Sequence, residues 1–193
     1  MRGTHGTNAT PGEFRRTQNW IGFPGAVIDT ATYVPPSPER LWECLDAFEK
    51  HLHAERTLPP LLDIAAIHYQ FEAIHPLLDG NGRVGRVLVV LLLVEWGLLP
   101  GPVLDLSAYI EPQRDRYYAG LLAVSTDGDW EGWYDFMVEV FAEQSLDAAR
   151  RARRLHDLRT DFRRRVATSR SSGLLPTLVD ELFQVPALTL TRS

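Results

Sequence analysis

Between Arg86 and Glu95 the chain runs through eight consecutive apolar residues, Val87–Val94. A run like this needs a site that excludes water on most sides, so it constrains the fold more than any other segment. Its eight residues fall far short of the roughly 18 that a membrane span needs. Buried strands share the composition, but fourteen uninterrupted residues, Arg83 to Trp96, favour a helix on length. Gly97 ends it. With Val and Leu on nearly every side, this helix is expected to be central and buried. The chain has 193 residues, 45% apolar and 23% charged, which suits one packed domain with a small appendage and excludes a disordered chain. Cys44 is the only cysteine, so no intrachain disulfide framework is possible, and a reducing compartment, the cytoplasm, is expected. Met1–Thr10 is rich in Gly and Thr and lacks an apolar segment, so no secretory signal is read there.

The other segments also read as helical. Ser37-Pro38-Glu39 combines an N-cap, a first-position proline and a first-turn acid, and Leu41, Leu45, Phe48 and Leu52 follow at helical spacing. Pro59-Pro60 opens a second helix with Leu61, Ala65, His68 and Phe71/Glu72 on successive turns. It must weaken at His75, because the residue before Pro76 is pushed out of the α region. Further helices are expected over Pro112–Val124, from Asp129 through Phe141, continued or restarted towards Phe162, and over Leu174–Phe183 up to Pro186, with a linker at Ser169–Gly173. The Gly- and Pro-rich first 36 residues read as loop, with Ala26–Val34 as a hairpin arm. The fold class is all-α.

Net charge is −5 and unevenly spread. Nine arginines and two acids fall within Arg150–Arg170, against −11 over residues 1–149. A solvated helix face is the first reading of that basic stripe, contact with an acidic partner or nucleic acid the second. His68 is read as a packing or hydrogen-bonding histidine and Cys44 as a small core residue. Trp20, Trp42, Trp96, Trp130 and Trp133 are read as core, and His51 and His53 as poor metal ligands.

Chemistry concentrates in His75-Pro-Leu-Leu-Asp79-Gly80-Asn81-Gly82-Arg83-Val-Gly-Arg86. A histidine at a proline-fixed corner can face a cleft. Glycines around Asn81 permit positive φ and close backbone approach. A Gly-rich turn entering a helix aims free N–H groups at one point, an anion site. Arg83 and Arg86 share a helix face and can clamp phosphate oxygens. Asp79 is a hard carboxylate, and Mg²⁺ needs only one or two when phosphates complete its shell. Together they describe transfer from a nucleotide to a nucleophile that His75 deprotonates.

The string closely resembles the signature of the Fic family, His-Pro-Phe-x-Asp/Glu-Gly-Asn-Gly-Arg-x-x-Arg. Chance agreement at the eight matching positions (His75, Pro76, Asp79, Gly80, Asn81, Gly82, Arg83 and Arg86) is on the order of 10⁻¹⁰. Gly12–Arg15, Gln18–Gly22, Tyr33–Pro36 and Phe71–Ile74 also look like the family. The resemblance implies an all-α Fic fold over residues 1–168 with a short β-hairpin flap between Ile21 and Val34. Residues 169–193 would be a linker and short helix, a truncated winged helix-turn-helix. It implies transfer of AMP from ATP to a Ser, Thr or Tyr hydroxyl of a target protein. His75 would be the general base, Asp79 would hold Mg²⁺, and Gly80, Asn81 and Gly82 would cradle the phosphates. Arg83 and Arg86 would bind the β/γ end, and Tyr117 and Tyr118 would wall the adenine. The flap would pair with an extended piece of the target.

Two departures stand out. Leu77 replaces the family's Phe, an exchange that touches packing and not chemistry. The inhibitory string Ser/Thr-x-x-x-Glu-Gly/Asn of many members is missing, which leaves room for a separate inhibitory polypeptide. A homodimer is also open. The phosphate-transferring Doc branch usually has Lys at the position of Arg83 and lacks the second glycine, so Gly82 and Arg83 favour nucleotidyl transfer. The competing readings are a regulatory or DNA-binding protein acting through the C-terminal segment, and an inactive remnant with exposed apolar surface. For this chain alone, nucleic acid is not the expected partner, nor is a membrane.

Overall fold

A computed structural model of the chain describes residues 12–23, 25–168 and 174–184. The caps and apolar spacings produce seven α-helices among these residues: α1 (Pro38–His53), α2 (Pro60–Ile74), α3 (Asn81–Glu95), α4 (Leu106–Ile110), α5 (Arg114–Asp127), α6 (Trp130–Thr168) and α7 (Leu175–Gln184). The chain divides into two compact units, Met1–Gln144 and Ser145–Ser193. Among the described residues, no helix is long and apolar enough to cross a membrane. The linker expected at Ser169–Gly173, the stop at Pro186 and Met1–Thr10 lie outside the described residues.

Local signals explain the helix ends. α1 and α2 each begin on a proline, which lacks the N–H that a helix start leaves unbonded. Asp129 accepts from Gly132 N at 3.0 Å and starts α6, which runs unbroken as one helix. Gly97 (φ 71°) closes α3, with Leu98 N bonded back to Leu93 O at 2.9 Å. Asp105 caps α4 through Ala108 N at 3.3 Å.

In the first unit, α2 and the start of α6 supply the deepest core. Ile64, Ala65, Ile67 and His68 of α2 and Trp133, Met137 and Val140 of α6 are all 2% exposed or less. Trp133 is fully enclosed, and its Nε1 donates to Ala65 O at 2.9 Å. Gly120 of α5 makes room for it, since a Cβ there would lie 3.2 Å from Trp133 Cε3. The rings of His68 and Tyr117 stand 6.1 and 5.8 Å from that of Trp133. His68 Nε2 and the Tyr117 hydroxyl are 3.0 Å apart, the role its sequence position suggested.

The segment before α1 is fixed by Arg15, which is 3% exposed. Its Nε donates to His75 O at 3.0 Å and its Nη2 to Ile74 O at 3.4 Å and to Pro36 O. Its own N–H donates to Pro76 O at 2.9 Å. One buried cation thus serves the carbonyls of Ile74 and His75 at the C-terminus of α2, where the helix dipole favours positive charge, and the Tyr33 hydroxyl takes Ala73 O at 2.9 Å.

Three expectations are corrected. No strand forms among the described residues, so the expected β-hairpin flap is not seen there. A single antiparallel bridge joins Ile21 and Tyr33, and the chain between them contains a 3₁₀ turn at Ile28–Thr30. The ladder stops because side chains claim the backbone: Trp20 Nε1 donates to Ala26 O at 2.8 Å and Thr30 Oγ1 bonds Val27. The chain also folds tightly at Gly22, where a Cβ would sit 3.0 Å from that of Ala26. Second, α3 is not buried all round. Val84, Val87 and Leu91, one stripe at helical spacing, are 43, 58 and 56% exposed. Third, Trp133 alone of the five tryptophans is fully buried. Trp42 is 67% exposed and meets Phe14 edge-on, Trp130 is also exposed, and Trp96 lies under the Arg56 guanidinium at 4.4 Å. Cys44 is half-buried.

In the second unit much of the basic stripe is paired. Arg150 and Arg151 meet Asp147, Arg164 and Arg165 meet Asp161, and Arg159 and Arg163 both reach Asp180 of α7.

Two stability tests follow from this packing. Trp133→Ala is expected to lose roughly 3–5 kcal/mol by chemical denaturation, the range for an enclosed aromatic. Arg15→Ala is expected to lose about 3 kcal/mol, because it strands buried carbonyls that bonded to a charged donor. Arg15→Lys should recover little, since an ammonium lacks the planar fork that reaches several carbonyls at once.

Candidate active site

α2 stops where Pro76 forbids another helical residue, and His75 absorbs the turn. It lies at φ 49°, ψ 58°, the only described non-glycine residue with positive φ. The expected departure from the α region occurs, but into the left-handed region and not the extended one. A histidine tolerates that conformation better than most residues, at a cost of order 1 kcal/mol that the Arg15 bonds at its carbonyl offset.

The loop that follows is braced from inside. Asn81 is 2% exposed, and its side chain grips Leu77 from both ends: Oδ1 accepts from Leu77 N and Nδ2 donates to Leu77 O, each at 2.8 Å. Asn19 Nδ2 adds a bond to the same carbonyl at 3.2 Å. The Asn81 side chain is therefore committed to holding the loop, and what it can offer an anion is its backbone N–H. Gly80, at φ 88°, caps α3, so Asn81, Gly82 and Arg83 occupy the first turn, whose N–H groups have no intrahelical acceptor.

A cavity of about 460 Å³ opens beside this corner. His75 just past α2, Glu72 of α2, Gly82 and Arg86 of α3, and Tyr117 and Tyr118 of α5 line it, with Trp20 and Tyr33 on the bridged-loop side. Of the residues singled out from sequence, the cavity brings together His75, Gly82, Arg86, Tyr117 and Tyr118. Asp79, Gly80, Asn81 and Arg83 stand outside its lining. Asp79 and Arg83 face solvent and pair with each other at 3.5 Å. Tyr117 is 3% exposed and tied to His68, whereas Tyr118 is 54% exposed and is the freer ring.

The electrostatics separate the groups. Burial pushes the His75 imidazole down to about 4, with the nearby Arg15 guanidinium adding to the fall, so the ring is neutral at physiological pH. Its Nδ1 lies 3.3 Å from Glu72 O, which accepts from Nδ1–H and leaves Nε2 as the basic nitrogen. His68 is also neutral, pushed to about 3 by complete burial. Arg86 is oriented by its Nε bond to Ser107 Oγ at 2.8 Å.

Four contributors had no assigned role in the sequence reading: Arg15, Ser107, Gly85 and Glu72. A Cβ on Gly85 would fall 2.7 Å from Glu72 Oε1 and 3.1 Å from both His68 and Phe71, so α2 and α3 approach only because that residue is glycine. Glu72 did leave a trace: it shares a helix face with Ala65 and His68, and a carboxyl on a core-facing stripe is anomalous. Arg15 and Ser107 left none, since their partners are backbone or lie far along the chain.

Asp79 suits Mg²⁺ by its chemistry. It is an exposed hard carboxylate beside an anion-accepting turn, and this metal takes one or two carboxylates when phosphates supply the rest. Among the described residues no three His, Cys, Asp or Glu side chains gather as an all-protein metal cage.

Comparison with known proteins places this geometry. The sequence profile of the Fic/DOC family matches residues 2–93. Proteins named protein adenylyltransferase Fic from Drosophila yakuba and Culex quinquefasciatus are 34% and 33% identical over 138 residues, 70% of this chain and 24% of each relative. The chain thus spans about a quarter of the length of the curated relatives it matches. The crystal structure of a Fic family protein from Desulfovibrio desulfuricans G20 superposes with a TM-score of 0.63 at 21% identity, over 91% of this chain and 52% of that one, a likeness of fold. Through the domain that carries His75, the braced loop and Arg86, the chain belongs to the Fic/DOC family.

Proposed function

We propose that this chain transfers AMP from ATP to a Ser, Thr or Tyr hydroxyl of a target protein, with His75 as general base. The observation that carries the reading is the one cavity wall shared by the His75 imidazole, Gly82 in the first turn of α3 and the Arg86 guanidinium. The names of the adenylyltransferase relatives support the same reaction class. A lone cysteine fits a cytoplasmic protein.

The step balances simply. The target hydroxyl oxygen bonds to the α-phosphorus of ATP as the bond to the bridging oxygen breaks, and pyrophosphate leaves. The hydroxyl proton passes to His75 Nε2, which is free because Nδ1–H is donated to Glu72 O. Arg86 and the N–H groups of the first turn of α3 oppose the charge on the phosphates, and Arg83, in that first turn, adds a second cation. Tyr118 offers the exposed aromatic face against which a base can lie. Asp79 would hold Mg²⁺, which supplies charge neutralisation of the polyphosphate.

His75→Ala is expected to lower transfer by about 10²–10⁴-fold while leaving the thermal transition in place. Intact-mass analysis after incubation with Mg-ATP reads this as an AMP-sized adduct on a target, or on the chain itself, in the wild type alone. An undiminished adduct in the variant removes His75 as base, and a phosphate-sized adduct moves the reading to kinase-like chemistry. In the nucleotide-free protein the depressed His75 value means that the basic form persists and is lost only as pH falls through about 4. A histidine NMR titration should therefore show the ring unprotonated at about pH 5.5, where an ordinary histidine is mostly charged.

A further inference from the structure

The mechanism uses the cavity's histidine and arginine but leaves one ionisable group without a task. Glu72 is 8% exposed and lines the cavity, and its Oε1 has no hydrogen-bond partner. The carboxyl lies against the first turns of α3. A Cβ built on Gly82 would stand 3.9 Å from Glu72 Oε1 and 3.2 Å from Arg86 Nη1, so carboxyl and guanidinium flank the same glycine. A buried carboxyl with an unbonded oxygen is expensive unless it serves something.

We infer that Glu72 takes up a proton when the site is filled: docking of a nucleoside polyphosphate against Arg86 is coupled to protonation of the Glu72 carboxyl. The inference rests on the nucleotide-binding reading above. Sharing the cavity with Glu72 are Arg86 of α3, Tyr117 and Tyr118 of α5, Tyr33 of the bridged loop, Tyr69 of its own helix and His75 just past it, and His68 meets it at Gly85. Burial holds His68 and His75 neutral and raises the Tyr33 and Tyr117 phenols, so the charge that favours an ionised Glu72 comes from Arg86. With Arg86 as its only support against burial, the carboxyl is raised to about 7 and is poised between its two forms. A polyphosphate arriving on the same wall brings negative charge and takes the field of Arg86 for itself. The ionised carboxylate is then opposed on both counts and takes up a proton. Linkage fixes the sign. The ligand prefers the protonated form, so affinity is highest below about pH 7 and falls as pH rises through that value, towards tenfold per unit.

Calorimetry of the wild type and Glu72→Gln tests this. An ATP analogue with a non-hydrolysable α,β bridge is titrated with Mg²⁺ at mildly alkaline pH, in buffers of different ionisation enthalpy. The wild type is expected to take up about 0.5–0.9 proton more per nucleotide than the variant. Its affinity should fall with rising pH while that of Glu72→Gln stays comparatively level. Protons or a pH slope equal in the two proteins overturn the role of Glu72 and leave nucleotide binding intact. Should Glu72→Gln not fold, infrared difference spectra of wild type with carbon-13-labelled glutamate replace it. A protonated-carboxyl band gained on binding supports the coupling, and binding without that band overturns it. Absence of any binding to the wild type removes the nucleotide reading itself and this inference with it.

Discussion

The site depends on a guanidinium that never meets the cavity. Arg15 sits in the protein interior and bonds to the carbonyls of Ile74, His75 and Pro36. These belong to the end of one helix, the corner beyond it and the segment leading to the first helix. Without such a donor, α2 would end with buried carbonyls facing nothing, a situation that costs about as much as several ordinary hydrogen bonds contribute. With it, the backbone at residue 75 is held in a sparsely populated conformation, and the direction of the imidazole is set by main-chain geometry. The nitrogen proposed as the base is aimed by the fold before any ligand arrives.

A second constraint is the closeness of α2 and α3. Gly85 lets the Glu72 carboxyl and the His68 ring lie directly on the α3 backbone. Two polar groups are thereby buried beside a cation, and both are driven towards their neutral forms by the same loss of water. The cavity wall therefore has a low density of fixed charge apart from Arg86. In such a wall the field of one arginine reaches further than it would in water. Asn81 contributes by subtraction: its side chain is spent on Leu77, which leaves the first turn of α3 to present backbone donors.

Much of this was legible from the chain because it is written locally. The motif from His75 to Arg86, the proline starts of α1 and α2, the Asp129 cap and the Gly97 stop each depend on neighbours within a few residues, and short-range chemistry decides them. His68 was readable for the same reason, as a polar residue on an apolar stripe. What escaped depends on distant partners. Arg15 and the carbonyls it binds are about sixty positions apart, and nothing in Gly12–Arg15 announces a buried cation. The hairpin was expected from a run of strand-forming residues, but Trp20 and Thr30 bond the backbone that a second strand would have used. The buried-all-round reading of α3 followed from composition alone, and composition cannot say how many neighbours are present to cover Val84, Val87 and Leu91. The surplus of arginine likewise overstated free charge, because Asp147, Asp161 and Asp180 each take two of them.

The left-handed corner at His75 separates two selective pressures that usually coincide. Pro76 stops the helix there and the carbonyl bonds of Arg15 hold the left-handed turn, and neither involves the imidazole. Asparagine and glycine adopt the same conformation readily. A descendant that exchanged the histidine for either would keep its corner, its braced loop and its cavity while losing the imidazole. Purifying selection for folding would not notice the loss. In lineages with this architecture, a copy without the imidazole can therefore persist as a well-folded protein that keeps the cavity, free to be recruited for binding alone.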